Sequence, residues 1–175
     1  MAGTAHPILI HGEPVLHRPA DPVVEFDESL AELVEDMFAS MYVAQGVGLA
    51  APQIGVGLAV FVYDCHDDDG IYYKGHMINP EVMARGGGIE RDDEGCLSVP
   101  GPFAPVARDR IATVRGFDIG GKPIEITGSG FFARCLLHET DHLMGTLFVD
   151  HLSKRRRARV LRSIEWSSWN AALPS

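Results

Sequence analysis

Long apolar runs are missing from this sequence. The longest, Leu58 to Tyr63, has six residues, far short of the roughly 18 to 20 that a membrane-crossing helix needs, so no membrane-spanning role is expected. Basic residues do not dominate either: 15 Lys and Arg face 24 Asp and Glu, a net charge of −9. That balance speaks against nucleic acid as the main ligand of the whole domain, and no specific DNA binding is expected. Cysteine is scarce, with three residues, Cys65, Cys96 and Cys135. An odd number at wide spacing suits a reducing compartment and a thiol or metal role rather than a disulfide framework. Repeats and low-complexity tracts are absent. No basic n-region precedes the first apolar residues, and His11, Glu13 and Arg18 interrupt those that follow. A cytoplasmic protein without a secretory signal is expected.

What is present is ordinary globular material: 46% hydrophobic and 22% charged residues, with a mean hydropathy of +0.03. A chain of 175 residues predicts one domain. The charge is uneven within it. Residues 153–175 hold Lys154, Arg155, Arg156, Arg157, Arg159 and Arg162 against Glu165, net +5, which leaves −14 for residues 1–152. The chain thus divides into a main body, 1–152, and a basic C-terminal helix, 153–175, packed on or extending from it. That helix starts near Ser153 and has Val160, Leu161 and Ile164 on its apolar side.

Leu30, Leu33, Val34, Met37, Phe38, Met41 and Tyr42 recur with the period of one helix face. Asp27 can cap this helix and Gly46 can end it. Four β-like pieces follow, at 58–64, 72–79, 111–118 and 123–127, with Gly120 and Gly121 as the turn between the last two. Residues 130–143 are apolar nearly all round (Phe131, Phe132, Ala133, Cys135, Leu136, Leu137, Leu143), the pattern of a helix buried on every side, with Gly145 as its stop. The expected fold is α+β: short antiparallel strands packed around a buried central helix, flanked by an N-terminal and a C-terminal helix.

The buried helix contains His138-Glu139-Thr140-Asp141-His142, the HExxH pattern. Histidines four apart lie one turn apart, so both imidazoles share a face and can grip one metal ion, and Glu139 stands beside them to take a proton from water. Chance gives roughly 0.02 such matches in a chain of this composition. A catalytic centre of this type wants a third protein ligand, and its identity decides the class. The long form of the motif, which ends on a third His, fails because Phe148 stands there. Glu165, 23 residues beyond His142, would make a zinc endopeptidase. Cys135 lies about 10 Å along the helix axis from His142, too far to share a metal with it, and reads as a small buried wall residue. Cys96, in Glu94-Gly95-Cys96-Leu97-Ser98, remains; a thiolate beside a dication is held deprotonated, and the glycine before it permits close backbone approach.

The runs Gly46-Val47-Gly48-Leu49-Ala50-Ala51-Pro52-Gln53, Glu94-Gly95-Cys96-Leu97-Ser98 and His138-Glu139-Thr140-Asp141-His142, in this order, resemble the three motifs of the peptide deformylases. The likeness extends over roughly residues 7 to 150. Departures are minor: Pro52 and Thr140 fill variable positions, and Leu137 stands where Gln often precedes the first His.

The resemblance implies that Cys96, His138 and His142 bind one divalent metal ion. Fe(II) is the expected native ion, with Zn, Ni or Co tolerated. It further implies that Glu139 is the general acid/base, and that the Gln53 amide and the Leu97 backbone N–H donate to the formyl oxygen. The implied substrates are nascent peptides beginning with N-formylmethionine. Phe131 and Cys135, on the face of His138, would wall the methionine slot, with Val47 and Gly48 opposite. Gly46 and Gly48 would offer backbone groups to an extended peptide, and Glu94 and Gly95 are counted with the substrate-binding residues. The family implies a bacterial or organellar setting, and twelve Arg against three Lys fits a bacterial one. The basic helix would meet ribosomal RNA where nascent chains emerge. Two other classes stay open on the residues alone: the endopeptidase using Glu165, and a non-catalytic, metal-stabilised domain that docks through its basic helix.

Overall fold

The computed structural model describes residues 2–165; residues 166–175, the end of the expected basic segment, lie outside them. The first helix, α1 (Glu28–Val43), starts at Asp27, whose carboxylate accepts from the Leu30 N–H at 3.2 Å. Its end differs from expectation. Gln45, not Gly46, takes the left-handed position (φ 57°), and Gly46 N donates back to the Met41 carbonyl at 2.9 Å. This is a Schellman-type stop with a side chain where glycine is usual.

Five strands follow: β1 (Gly48–Ala50), β2 (Val60–His66), β3 (Tyr72–Cys96), β4 (Val99–Phe117) and β5 (Pro123–Ser129). They pair in sequence order as one antiparallel meander, with β1 and β5 at its edges. β2 shows why its apolar run does not alternate. Val60 and Val62 pack toward α1, while Phe61, Tyr63 and Cys65 pack on the other face against Phe132, Cys135 and Leu136. A strand covered on both faces needs apolar residues at every position.

β3 and β4 run much longer than the short strands expected. Residues 80–93 of β3 are half-buried or exposed, rich in charge and interrupted by Gly86, Gly87 and Gly88, so they carry no period-2 signal. Register shifts at Ile78/Glu81, Val82/Ala84, Gly86/Ile89 and Glu94/Cys96 let this irregular strand follow its partner. β4 supplies the order: Ala104, Val106 and Arg108 point inward two residues apart.

Helix α2 (Gly130–Leu143) packs chiefly across β4 and also meets β1, β2 and β5. Asp68, from the loop after β2, accepts from the Phe131 N–H at 3.0 Å and caps the helix start. Gly145 ends it at φ 77°, and a Cβ there would meet the Arg18 backbone at 2.7 Å. Phe148, at the position that excluded a third histidine, is fully buried beside Leu16, Val99 and Val149. Helix α3 (Lys154–Arg162) is capped by Ser153 and joins that cluster through Val160, as does Ile164 beyond its end. No helix among the described residues is long and apolar enough to cross a membrane.

Candidate active site

Cys96 ends β3, and the Leu97-Ser98 turn returns the chain into β4 opposite it. The hairpin tip brings the thiol to the face of α2 that carries the histidines. Cys96 Sγ lies 3.3 Å from His142 Nε2, which lies 3.2 Å from His138 Nε2. The three donor atoms fall within 4.8 Å of one another and form a metal-binding site. A thiol and two imidazoles converging this closely suit a divalent ion of borderline softness. Neither Cys135 nor the alternative third ligand, Glu165, joins them. Cys135 Sγ sits instead near the Val47 carbonyl, and Glu165 packs at Gly101 with its backbone N–H on the Pro100 carbonyl.

The other nitrogen of His138, Nδ1, is 2.8 Å from Glu94 Oε2. Glu94 is buried, and Arg108 grips it with Nε at 3.1 Å and Nη2 at 2.7 Å. Arg134 Nη1 adds a contact at 3.1 Å. Arg108 continues to Asp141 at 2.6 Å, and His151 closes on Asp141 at 2.8 Å. Both Glu94 oxygens are thus taken up, so its side chain holds His138 while the residue borders the cavity. A carboxylate behind a liganding imidazole fixes its tautomer and ring orientation. Burial opposes the Glu94 charge, yet His138 and Arg108 hold its carboxyl far below the ordinary range. Burial likewise opposes an imidazolium at His138, and Cys96 and Glu94 outweigh it; His142, buried beside His138, is pushed the other way.

Glu139 contrasts with its neighbour in sequence. Burial, the largest cause, raises its carboxyl to about 7; His138 and Arg108 pull it down, while Glu94 and Asp141 push it up. Its Oε2 has no hydrogen-bond partner among the described residues. Beside it the backbone comes very close: a Cβ on Gly48 would lie 2.6 Å from Glu139 Oε1 and 3.0 Å from Cys135 Sγ. Only glycine lets the β1 edge approach this carboxylate.

Gln53 is held at both ends of its amide. Its Oε1 accepts from the Ala50 N–H at 2.9 Å, so Nε2 must point to Ser98 Oγ at 3.1 Å, with Cys96 Sγ at 3.7 Å. Gly46, Val47, Gly48, Gln53, Glu94 and Gly95, with Cys96, Leu97, Phe131, Cys135, His138 and Glu139, all line one cavity of about 410 Å³. Cys135 is buried in that cavity, while Phe131 is 44% exposed.

Sequence reasoning missed Arg108, Arg134, Asp141, His151 and Ser98. Arg108 had a readable signal: a lone charge in phase with Ala104 and Val106 on the inward face of a strand. Asp141 stands inside the histidine motif, at a position of which the spacing of the metal ligands asks nothing.

Residues 5–158 match the family model described as polypeptide deformylase. The chain belongs to that family. It is 49% identical over 168 residues to peptide deformylase 2 of Streptomyces avermitilis, covering 96% of this chain and 90% of the relative. It is 52% identical to peptide deformylase 1 of the same organism over 93% of this chain and 76% of that one. Among solved structures, a peptide deformylase from Legionella pneumophila superposes with a TM-score of 0.84 at 46% identity, covering 91% of this chain and 93% of that one. One from Ehrlichia chaffeensis in complex with actinonin gives 0.85 at 36% identity, covering 91% and 95%. The chain is therefore a hydrolase of the deformylase class, and the endopeptidase and docking-domain readings fit less well.

Proposed function

We propose that this chain removes the formyl group from the N-formylmethionyl end of newly made peptides, with water as co-substrate and formate and a free α-amine as products. The observation that carries the reading is the union of the Cys96, His138 and His142 donor set with a buried Glu139, whose Oε2 has no hydrogen-bond partner among the described residues, in a cavity bordered by the edge strand β1. A divalent ion bound there supplies Lewis acidity toward water and the formyl oxygen. Glu139 takes the proton of the attacking water and delivers it to the amide nitrogen as the C–N bond breaks. The Gln53 amide, pinned by Ala50 and Ser98, and the Leu97 N–H donate to the oxygen on which charge develops. Formyl carries only hydrogen, so a tight fit admits it and refuses acetyl.

The peptide adds as a further strand to the β1 edge at Gly46 to Gly48, with its methionine between Phe131 and Cys135 on one side and Val47 and Gly48 on the other; Gly95 borders the same cavity. Fe(II) is our choice of native ion, with Zn, Ni or Co as substitutes, because thiolate with two imidazoles accepts all four. An iron-bound Cys96 is exposed to oxidation, so air should inactivate the native form. We assign residues 1–152 to catalysis and the following basic helix to ribosome contact through Lys154, Arg155, Arg156, Arg157, Arg159 and Arg162, in a bacterial cytoplasm. The deciding experiment is formate release from formyl-Met-Ala-Ser with metal content measured on the same sample. One ion per chain and steady formate production are expected; cleavage of internal peptide bonds without formate would replace the reading with a peptidase.

A further inference from the structure

The mouth of the cavity has a character of its own. Phe103, near the start of β4, is 69% exposed although its ring lies over Gly95, where any Cβ would collide with it. Phe131 (44%) and Val47 (43%) complete an apolar rim around the same opening. A large apolar side chain left in water beside a binding cleft marks a surface that meets a ligand. The charges at this mouth are one-sided. Among its lining residues Asp93 is the one exposed ionisable group, while Arg134, the lining guanidinium, is buried and engaged with Glu94, the Val106 carbonyl and the Glu90 carbonyl. Among the described residues the rim therefore offers apolar surface and a carboxylate, and no available cation.

A peptide extended along the β1 edge alternates its side chains between two faces. If its first side chain enters the floor at Cys135, its second turns back toward the mouth, where Phe103 stands. We propose that Phe103 is a specificity-determining residue that favours a large apolar second residue in the substrate, aromatic best of all, while Asp93 disfavours an acidic one. The inference rests on the deformylase reading and adds to it the class of peptide preferred. Aromatic pairs prefer stacked or edge-to-face contact and gain more than their buried area alone supplies.

The test measures kcat/KM by formate release on formyl-Met-Phe-Ser, formyl-Met-Ala-Ser and formyl-Met-Asp-Ser, with metal loading confirmed. The parent should favour Phe over Ala by about fivefold, the worth of one good aromatic contact. Phe103→Ala should shrink that ratio to within about twofold, and Phe103→Tyr should retain it. Asp93→Asn should raise the Asp peptide relative to the Ala peptide and leave the Phe to Ala ratio in place. Equal rates on Phe and Ala peptides in an active parent, or an undiminished ratio in folded Phe103→Ala, would overturn the proposal and leave the deformylase reading standing. No formate from any of the three peptides would overturn both.

Discussion

Helices α2 and α3 both concentrate ionisable side chains, and they use them in opposite ways. α2 carries Arg134, His138, Glu139 and His142 buried in the protein; the end groups of Arg134, His138 and His142 reach a neighbouring donor or acceptor, while Glu139 Oε2 has no partner among the described residues. α3 carries six bases at its surface and buries Val160. A charge inside must be matched or it destabilises the fold, so its partners are dictated and its chemistry is readable. A charge outside is screened by water and salt, and it specifies nothing about its neighbours. The same contrast orders the experiments, because changes on the α2 side should cost most.

The largest effect belongs to Cys96→Ala, which removes one of three donors and should lose metal and turnover together, read by metal analysis and formate release. Glu165→Ala is its control and should leave both nearly intact, since Glu165 lies at Gly101 rather than with the histidines. The reverse pattern would reinstate the peptidase. Next comes Glu139→Gln, which keeps the side chain's shape and the metal ligands but ends proton transfer. Turnover should fall by about 10² to 10⁴, with the metal retained; an active variant would sink the mechanism.

Gln53→Leu should follow, with turnover down by about 10² to 10³, the usual worth of one donor to a developing oxyanion, and unchanged metal content. A loss below about threefold would remove Gln53 from the transition state. Glu94→Gln tests the support behind His138. Arg108 and Arg134 would lose their shared anion, so the melting temperature should drop visibly, and metal affinity should weaken by about 10- to 100-fold. Full metal affinity in a folded Glu94→Gln would leave the network a role in stability alone.

The unequal legibility of the molecule follows the same division. The limits of α2 were readable to the residue because an apolar sequence with a glycine stop leaves no alternative helix end. The two metal-ligating histidines were readable because their spacing is a chemical requirement, whereas Cys96 was legible only through the likeness of its motif. The β3–β4 ribbon was not, since backbone pairing and the regular inward face of β4 hold an outer strand whose own side chains face water. Nor was the Arg108 to Asp141 link, which joins residues 33 apart and exists only once β4 lies across α2. The left-handed Gln45 was hidden for a local reason: a glycine follows it and offers itself as the obvious helix stop.

The smallest effect on catalysis, and the sharpest test of the contrast, lies in α3. Arg157 is the exception there, reaching Asp150 at 3.4 Å and His11 at 3.4 Å, so it is tied to the fold and should be left in place. Lys154, Arg155, Arg159 and Arg162 are exposed. Basic residues in the first turn of a helix oppose its dipole, so Lys154 and Arg155 are not there for helix stability. If these bases answer to phosphates, binding must weaken steeply with salt, because each contact releases condensed counterions. Replacing the four with Gln should therefore leave hydrolysis of formyl-Met-Ala-Ser and the melting temperature nearly unchanged while reducing co-sedimentation with ribosomes at low salt. The parent's own binding should fade as salt rises toward physiological levels. Equal co-sedimentation of variant and parent at low salt would return α3 to a solvated surface with no partner, and the division between the two helices would then be one of chemistry against solubility alone.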